Sequence, residues 1–417
     1  MAGYNCVIIG KVALRHTGKR RCQFTRLVAR PHIFHIDAHR GHALQDRREI
    51  QSHTAIRGIA AFLVVAYHLQ FDNDLLGVET ATTFFKRSYL FVDLFFILSG
   101  FIISYVNQAD RRDALTRDAI VRFMKKRVIR LYPLVLFCLA YLFLFRAAIS
   151  LVYLALAQNL PFDWTPASLI VLMGQLTMTN AWLPLPSDWN IPSWSISAEI
   201  FAYLMFPLFI RSHVVRPVVT WLVCIAIIAG FYIAAFVHGN LDITLVWSPL
   251  RCLAGFLLGV LVYFGRHRIA QLPDVILSAL QIFSLASITA VLCLPVHDVF
   301  VIPAFVILVA TTWTDRGLLG QAFQGKIATT LGHWSFSIYL NHVPVIAILG
   351  FAWSRLAPRL GIDGDAGRIA WIVLVYTVVL LVSRWTYTHV ELRAQAALTR
   401  RFVAVRVEGC NVAAAKE

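Results

Sequence analysis

The sequence predicts an all-α fold, a polytopic transmembrane helix bundle of about ten helices with both termini cytoplasmic. Three observations predict it. Of 417 residues, 59% are apolar and 14% are charged, against about 25% charged in a soluble domain; this is too little charge to coat a water-facing surface. The apolar residues fall in blocks near 20 residues long, the length that crosses about 30 Å of hydrocarbon as a helix, and mean hydropathy is +0.68. The basic residues gather in alternate loops between those blocks, which is a topology signal. The alternation also accounts for the formal net charge of +16 without nucleic acid as a partner.

Residues 1–50 contain no long apolar run, no h-region and no cleavage site, so a secretory signal is not expected. His32, His35, His39 and His42 would share one face of a helix there, as a metal site requires. The plainer expectation is a flexible basic cytoplasmic arm, and no metal site is assigned. A transmembrane domain is expected over 51–393 and a cytoplasmic tail over 394–417. Ten apolar blocks follow one another at 54–71, 88–107, 131–157, 193–211, 217–237, 246–264, 274–293, 298–313, 331–353 and 368–388. The apolar stretch 165–183 is bracketed by Pro161, Pro166, Pro184 and Pro186, which predicts a re-entrant piece of an outer loop.

The loops set the orientation. Loop 108–130 holds Arg111, Arg112, Arg117, Arg122, Lys125, Lys126, Arg127 and Arg130, whereas 158–192 has no Lys or Arg. The contrast continues to the tail, with one exception at Arg355 and Arg359. Loop 72–87 is expected outside, with Asp72, Asp74 and Glu79. Cys6, Cys22, Cys138, Cys224, Cys252, Cys293 and Cys410 show no CxxC pairing, and four lie in apolar blocks. They read as small apolar fillers, not as a disulfide or zinc framework.

An ionisable group at mid-membrane costs roughly 2.5–3.5 kcal/mol on insertion scales, so each needs a reason. Arg57 and His68 stand eleven residues apart in the first block. That is three turns plus about 20°, so they share a face at about 16 Å separation. Asp93, Arg146, Glu199 and Arg251, each on a different block, fall near the depth of His68. Five ionisable groups in one layer predict a polar cavity, although Arg146 and Arg251 also suit interhelical salt bridges. At that depth His68 is a candidate general base, and Asp93 would orient its imidazole. Glu199 is the other candidate partner, or a second acid or base. Arg127 and Arg130, three apart, suit a phosphate-rich cytoplasmic ligand at a helix N-terminus, or plain anchoring on the inner face.

Five stretches, in this order, resemble the acyltransferase-3 family of integral-membrane O-acyltransferases: RGIAAFLVVAYH (57–68), VDLFFILSGFIIS (92–104), RVIRLYP (127–133), PSWSISAEIFAYLMFP (192–207) and LGHWSFSIYLNH (331–342). The resemblance spans about 55–393. It implies that His68 is the essential histidine, Arg57 the first-helix arginine, Arg127 and Arg130 the acyl-CoA-binding pair, Glu199 the motif glutamate and His342 the late histidine. Together with the depth reading, His68, Asp93 and Glu199 are the expected catalytic residues, and Arg57 is expected to bind acyl-CoA with Arg127 and Arg130. Arg146, Trp194, Ser195, Arg251, Tyr339 and His342 then fall to the substrate cavity. The family pattern often closes on an acidic residue followed by Pro; here Glu391 precedes Leu392. No extracytoplasmic esterase-like domain is expected.

The implied reaction uses no bound cofactor. Acyl-CoA, with acetyl-CoA the expected donor, would be co-substrate on the cytoplasmic side, and a sugar hydroxyl of a glycan or glycolipid would be the acceptor. The lipid bilayer of a bacterial inner membrane would surround it. His68 would act as general base or acyl relay, with Arg57 or a backbone N–H facing the oxyanion. Bundle physics alone equally permits a proton-coupled transporter of a glycolipid or acyl compound. Only the motif resemblance favours the enzyme.

Overall fold

In the computed structural model, residues 49–71, 83–107, 116–182, 189–243, 247–362 and 364–403 are described, and among them there are helices and turns but no strand. The chain runs α1 (Gln51–Phe71), a 3-10 turn (Ser88–Leu90) leading into α2 (Phe91–Asn107), α3 (Arg117–Ala155), α4 (Pro166–Leu176), α5 (Ser193–Val215), α6 (Pro217–His238), α7 (Ser248–Ala270), α8 (Asp274–Cys293), α9 (Val301–Thr312), α10 (Gly317–Ala322), α11 (Lys326–Leu356), α12 (Gly364–Thr386) and α13 (Leu392–Phe402). A π-turn, Tyr387–Glu391, joins α12 to α13.

Every one of the ten expected blocks falls on a helix. Eight described segments are long and apolar enough to cross a membrane: Ser88–Asn107, α3, α5, α6, α7, α8, α11 and Gly364–Phe402. The other two expected spans are α1, which carries His53, Arg57 and His68 among its 21 residues, and α9, which is apolar but only 12 residues long. The stretch 165–183 forms the short α4, capped by Thr165, whose hydroxyl accepts from Ser168 N.

The largest differences from the expected boundaries lie at the start of α3 and in the tail. Loop 108–130 becomes helical from Arg117, because Thr116 caps α3 and Asp118 lies in its positively polarised first turn. At 39 residues, α3 is about 58 Å long, well beyond the hydrocarbon thickness. Its charged first turns are helical, which hydropathy does not register. The expected tail from 394 is likewise helical as far as Phe402. The histidines at 32–42 lie outside the described residues.

Two helix crossings are close enough to require glycine. A Cβ on Gly332 of α11 would stand 2.0 Å from Thr54 O of α1, and one on Gly58 2.5 Å from Gly332 N. A Cβ on Gly100 of α2 would stand 1.9 Å from Phe256 O of α7, and one on Gly259 2.0 Å from Ile97 O. Such backbone approach is how membrane helices gain packing contact without a hydrophobic drive. These crossings set the rotations of α1, α11, α2 and α7, and so decide which polar side chains meet. The start of α1 is also pinned: Asp315 accepts from Ser52 N at 2.9 Å and Ser52 Oγ at 2.5 Å, an anion on the helix N-terminus.

Candidate active site

A cavity of about 140 Å³ opens among α1, α2, α3, α5 and α11. Arg57, Arg127, Arg130, Glu199, Ser99 and Tyr203 supply its polar wall, and residues such as Phe95, Ile102 and Phe336 its apolar one. Three guanidinium groups and one carboxylate, Glu199, line it. None of the three is ion-paired to a described carboxylate. Arg57 Nε and Arg127 Nε are buried with no described hydrogen-bond partner. The Arg127 guanidinium carbon lies 5.5 Å from the Phe123 ring centroid and 6.0 Å from that of Tyr203, and the side chain also interacts with the Tyr203 hydroxyl. Glu199 is occupied by hydroxyls: it accepts from Tyr203 at 2.5 Å and from Ser99. Donors left open around a cavity are what a polyanionic ligand requires.

His68 lies outside this cavity, beside His342. His342 Nε2 and His68 Nδ1 are 3.1 Å apart, with ring centroids 4.7 Å apart. The neighbours decide the tautomers. His342 Nδ1 faces Ile338 O at 3.2 Å, and a carbonyl only accepts, so Nδ1 carries the proton and Nε2 the lone pair. His68 Nδ1 faces both that lone pair and Val64 O at 3.0 Å, so it too is an N–H. The lone pair of neutral His68 therefore sits on Nε2, the arrangement a general base needs. His342 is fully buried and His68 half-buried.

Local sequence explains why α11 can present His342. Pro344 has no N–H for the Leu340 carbonyl four residues earlier. Asn190 Nδ2 takes that place, donating to Leu340 O at 3.1 Å. On the far side, Asn341 donates to Thr386 Oγ1 at 3.0 Å and accepts from Tyr141 at 3.1 Å. Ser337 donates to the buried carboxylate of Glu391 at 3.1 Å, on the π-turn.

Several expected placements are corrected. Asp93 does not orient His68. It forms a two-point ion pair with Arg251, Nε–Oδ1 3.0 Å and Nη2–Oδ2 2.6 Å, because the α2–α7 glycine crossing turns both inward. The two are fully buried, and the Arg251 guanidinium lies between the rings of Tyr89 (5.7 Å) and Trp194 (5.5 Å). Arg251 and Trp194 thus do not line the arginine cavity. So is Arg146, which stacks on Trp189 at 4.4 Å and Phe162 at 5.5 Å. His342 serves His68 and does not line the cavity. Arg57 lines the cavity, not the histidine pair, so it does not face an oxyanion at His68. Glu199 is no partner of His68 either. Ser195 and Tyr339 do line the cavity.

Sequence reasoning missed Ser99, Tyr203, Asn190, Asn341 and Glu391 as working parts. Tyr203 was within reach, since it stands one helical turn from Glu199 on the same face. Asn190 lies in a loop and carried no signal.

An all-helical membrane bundle with an arginine-lined cavity and a backed histidine is the class that the fold and site define. The chain belongs to the acyltransferase-3 family, whose acyltransferase domain matches residues 51–388. It is 27% identical over 367 residues to acyltransferase MdmB of Streptomyces mycarofaciens, covering 79% of this chain and 88% of the relative. It is also 36% identical over 85 residues to protein 2 in the picA locus of Rhizobium radiobacter, covering 20% of this chain and 39% of that protein. No solved structure matches. This is a multi-pass membrane acyltransferase; of the two activities left open by bundle physics, family membership selects the enzyme.

Proposed function

We propose that this acyltransferase moves a small acyl group, acetyl in the simplest case, from acyl-CoA to a sugar hydroxyl of a cell-surface or exported glycan or glycolipid across a bacterial plasma (inner) membrane. The observation that carries the reading is the division of labour in the bundle. Three guanidinium groups with no described carboxylate in ion-pair reach line one cavity, and a histidine with its lone pair on Nε2 stands beyond it.

Arg57, Arg127 and Arg130 hold the CoA phosphates, and the pantetheine arm follows the apolar wall of the cavity. His68 Nε2 takes the proton from the acceptor hydroxyl as its oxygen attacks the thioester carbonyl. The C–S bond then breaks, and the imidazolium returns the proton to the leaving thiolate, releasing CoA and the ester. His342 Nε2 accepts from His68 Nδ1–H throughout, keeping the ring in the required tautomer. An acyl-His68 relay would use the same lone pair.

The test is thiol release from acetyl-CoA by the purified protein in detergent with a crude glycolipid extract, wild type against His68→Ala. Loss of general-base catalysis is worth roughly 10²–10⁴-fold. A folded His68→Ala protein that transfers acyl groups at the wild-type rate would sink the proposal.

A further inference from the structure

The arginine cavity stops short of the histidines. Its wall includes Tyr339 and Ser195 but neither His68 nor His342. Tyr339 stands between the two regions. Its hydroxyl meets Ser195 Oγ at 2.7 Å, and its ring lies 5.7 Å from that of Phe95 and 5.9 Å from that of His342. The hydrogen-bond direction follows from a third group. Ser195 Oγ–H donates to Pro192 O at 3.0 Å, and Ser195 has only one hydroxyl proton, so Tyr339 must be the donor to Ser195. The result is a chain, Tyr339 O–H to Ser195 O–H to the Pro192 carbonyl, tying α11 to the first turn of α5. Ser195 and Tyr339 are both buried.

We propose that this Tyr339–Ser195 crossbar, closed by Phe95, decides between acyl transfer and hydrolysis. The inference rests on the reading of the cavity as the donor site and of His68 as the base. While the bar is closed, the Tyr339 ring and Phe95 stand on the wall of the arginine cavity that faces His342, the partner of His68. A swing of the Tyr339 side chain breaks one hydrogen bond and joins the two regions. The bar thus makes Tyr339 and Ser195 specificity-determining residues, selecting the acceptor hydroxyl over water.

The test measures acceptor-free thiol release from acetyl-CoA and ester formation with the glycolipid extract, for wild type, Tyr339→Phe and Ser195→Ala. Both variants remove the bar's bond, and both leave the Tyr339 ring position filled. Acceptor-free release is expected to rise roughly 2- to 10-fold, the factor one neutral hydrogen bond is worth, while its ratio to ester formation rises as well. Damage to the site would instead lower both rates together. If Tyr339→Phe does not fold, Ser195→Ala carries the test alone. Wild type that forms ester while the folded variants hydrolyse no faster overturns the crossbar and leaves the proposed function standing. Wild type that forms no ester and releases no thiol overturns both.

Discussion

Arg251 and the cavity arginines face the same physical problem, a guanidinium inside a membrane bundle, and meet it in opposite ways. Arg251 is matched by Asp93 in a two-point ion pair, wrapped by Tyr89 and Trp194 and sealed from solvent. Arg57, Arg127 and Arg130 line an open cavity with no described carboxylate in ion-pair reach. A charge satisfied within the fold holds helices together. A charge left unsatisfied beside a cavity is set for something that arrives from outside.

The largest expected effect breaks the satisfied side. Asp93→Ala leaves Arg251 buried and unpaired, which costs about 3–5 kcal/mol. It is read as a lowered unfolding midpoint in detergent. The double variant Asp93→Leu with Arg251→Leu should recover most of that stability, because two apolar groups leave no orphan charge. An Asp93→Ala protein with the wild-type midpoint but no activity would move the pair into the chemistry.

The unsatisfied side should respond the other way. Arg130→Ala and Arg127→Ala are expected to raise KM for acetyl-CoA while the unfolding midpoint stays near wild type. A hydrogen bond to a charged group is worth about 1.5–3 kcal/mol, a factor of roughly 10–150 in KM. A fall in midpoint without a change in KM would reassign these arginines to packing.

A smaller effect sharpens the comparison at the histidine pair. His342→Leu removes the acceptor that fixes the His68 tautomer and should lower kcat roughly tenfold, the equivalent of one hydrogen bond at about 1.4 kcal/mol. His342→Gln keeps an acceptor oxygen and should retain more activity than His342→Leu at equal stability. Equal kcat in the two variants would remove His342 from the positioning role.

Helix existence was legible because hydropathy is a local property of the chain. All ten apolar blocks are helices, and their ends shift most where charged residues continue the helix, as at Arg117–Arg130. Separation along a single helix was legible too, since each residue adds a fixed rise. Arg57 and His68 do lie on opposite parts of α1, one at the cavity and one beyond it. Rotation was not legible. Asp93 was expected beside His68 because the two share a depth, and the structure turns Asp93 to Arg251 instead. Likewise the missing N–H of Pro344 could be read from the sequence, but not that Asn190 takes up the carbonyl it leaves open.

By itself, then, the sequence determined an all-helical membrane bundle, the order of its helices and the residue types that carry charge into it. Periodicity and hydropathy depend only on neighbours along the chain. The tertiary structure alone decided which of those charges are neutralised and which are left for a ligand, and that His342 rather than Asp93 stands behind His68. Those outcomes depend on helix rotation, which close backbone crossings at Gly58–Gly332 and Gly100–Gly259 set by contact between residues far apart in sequence.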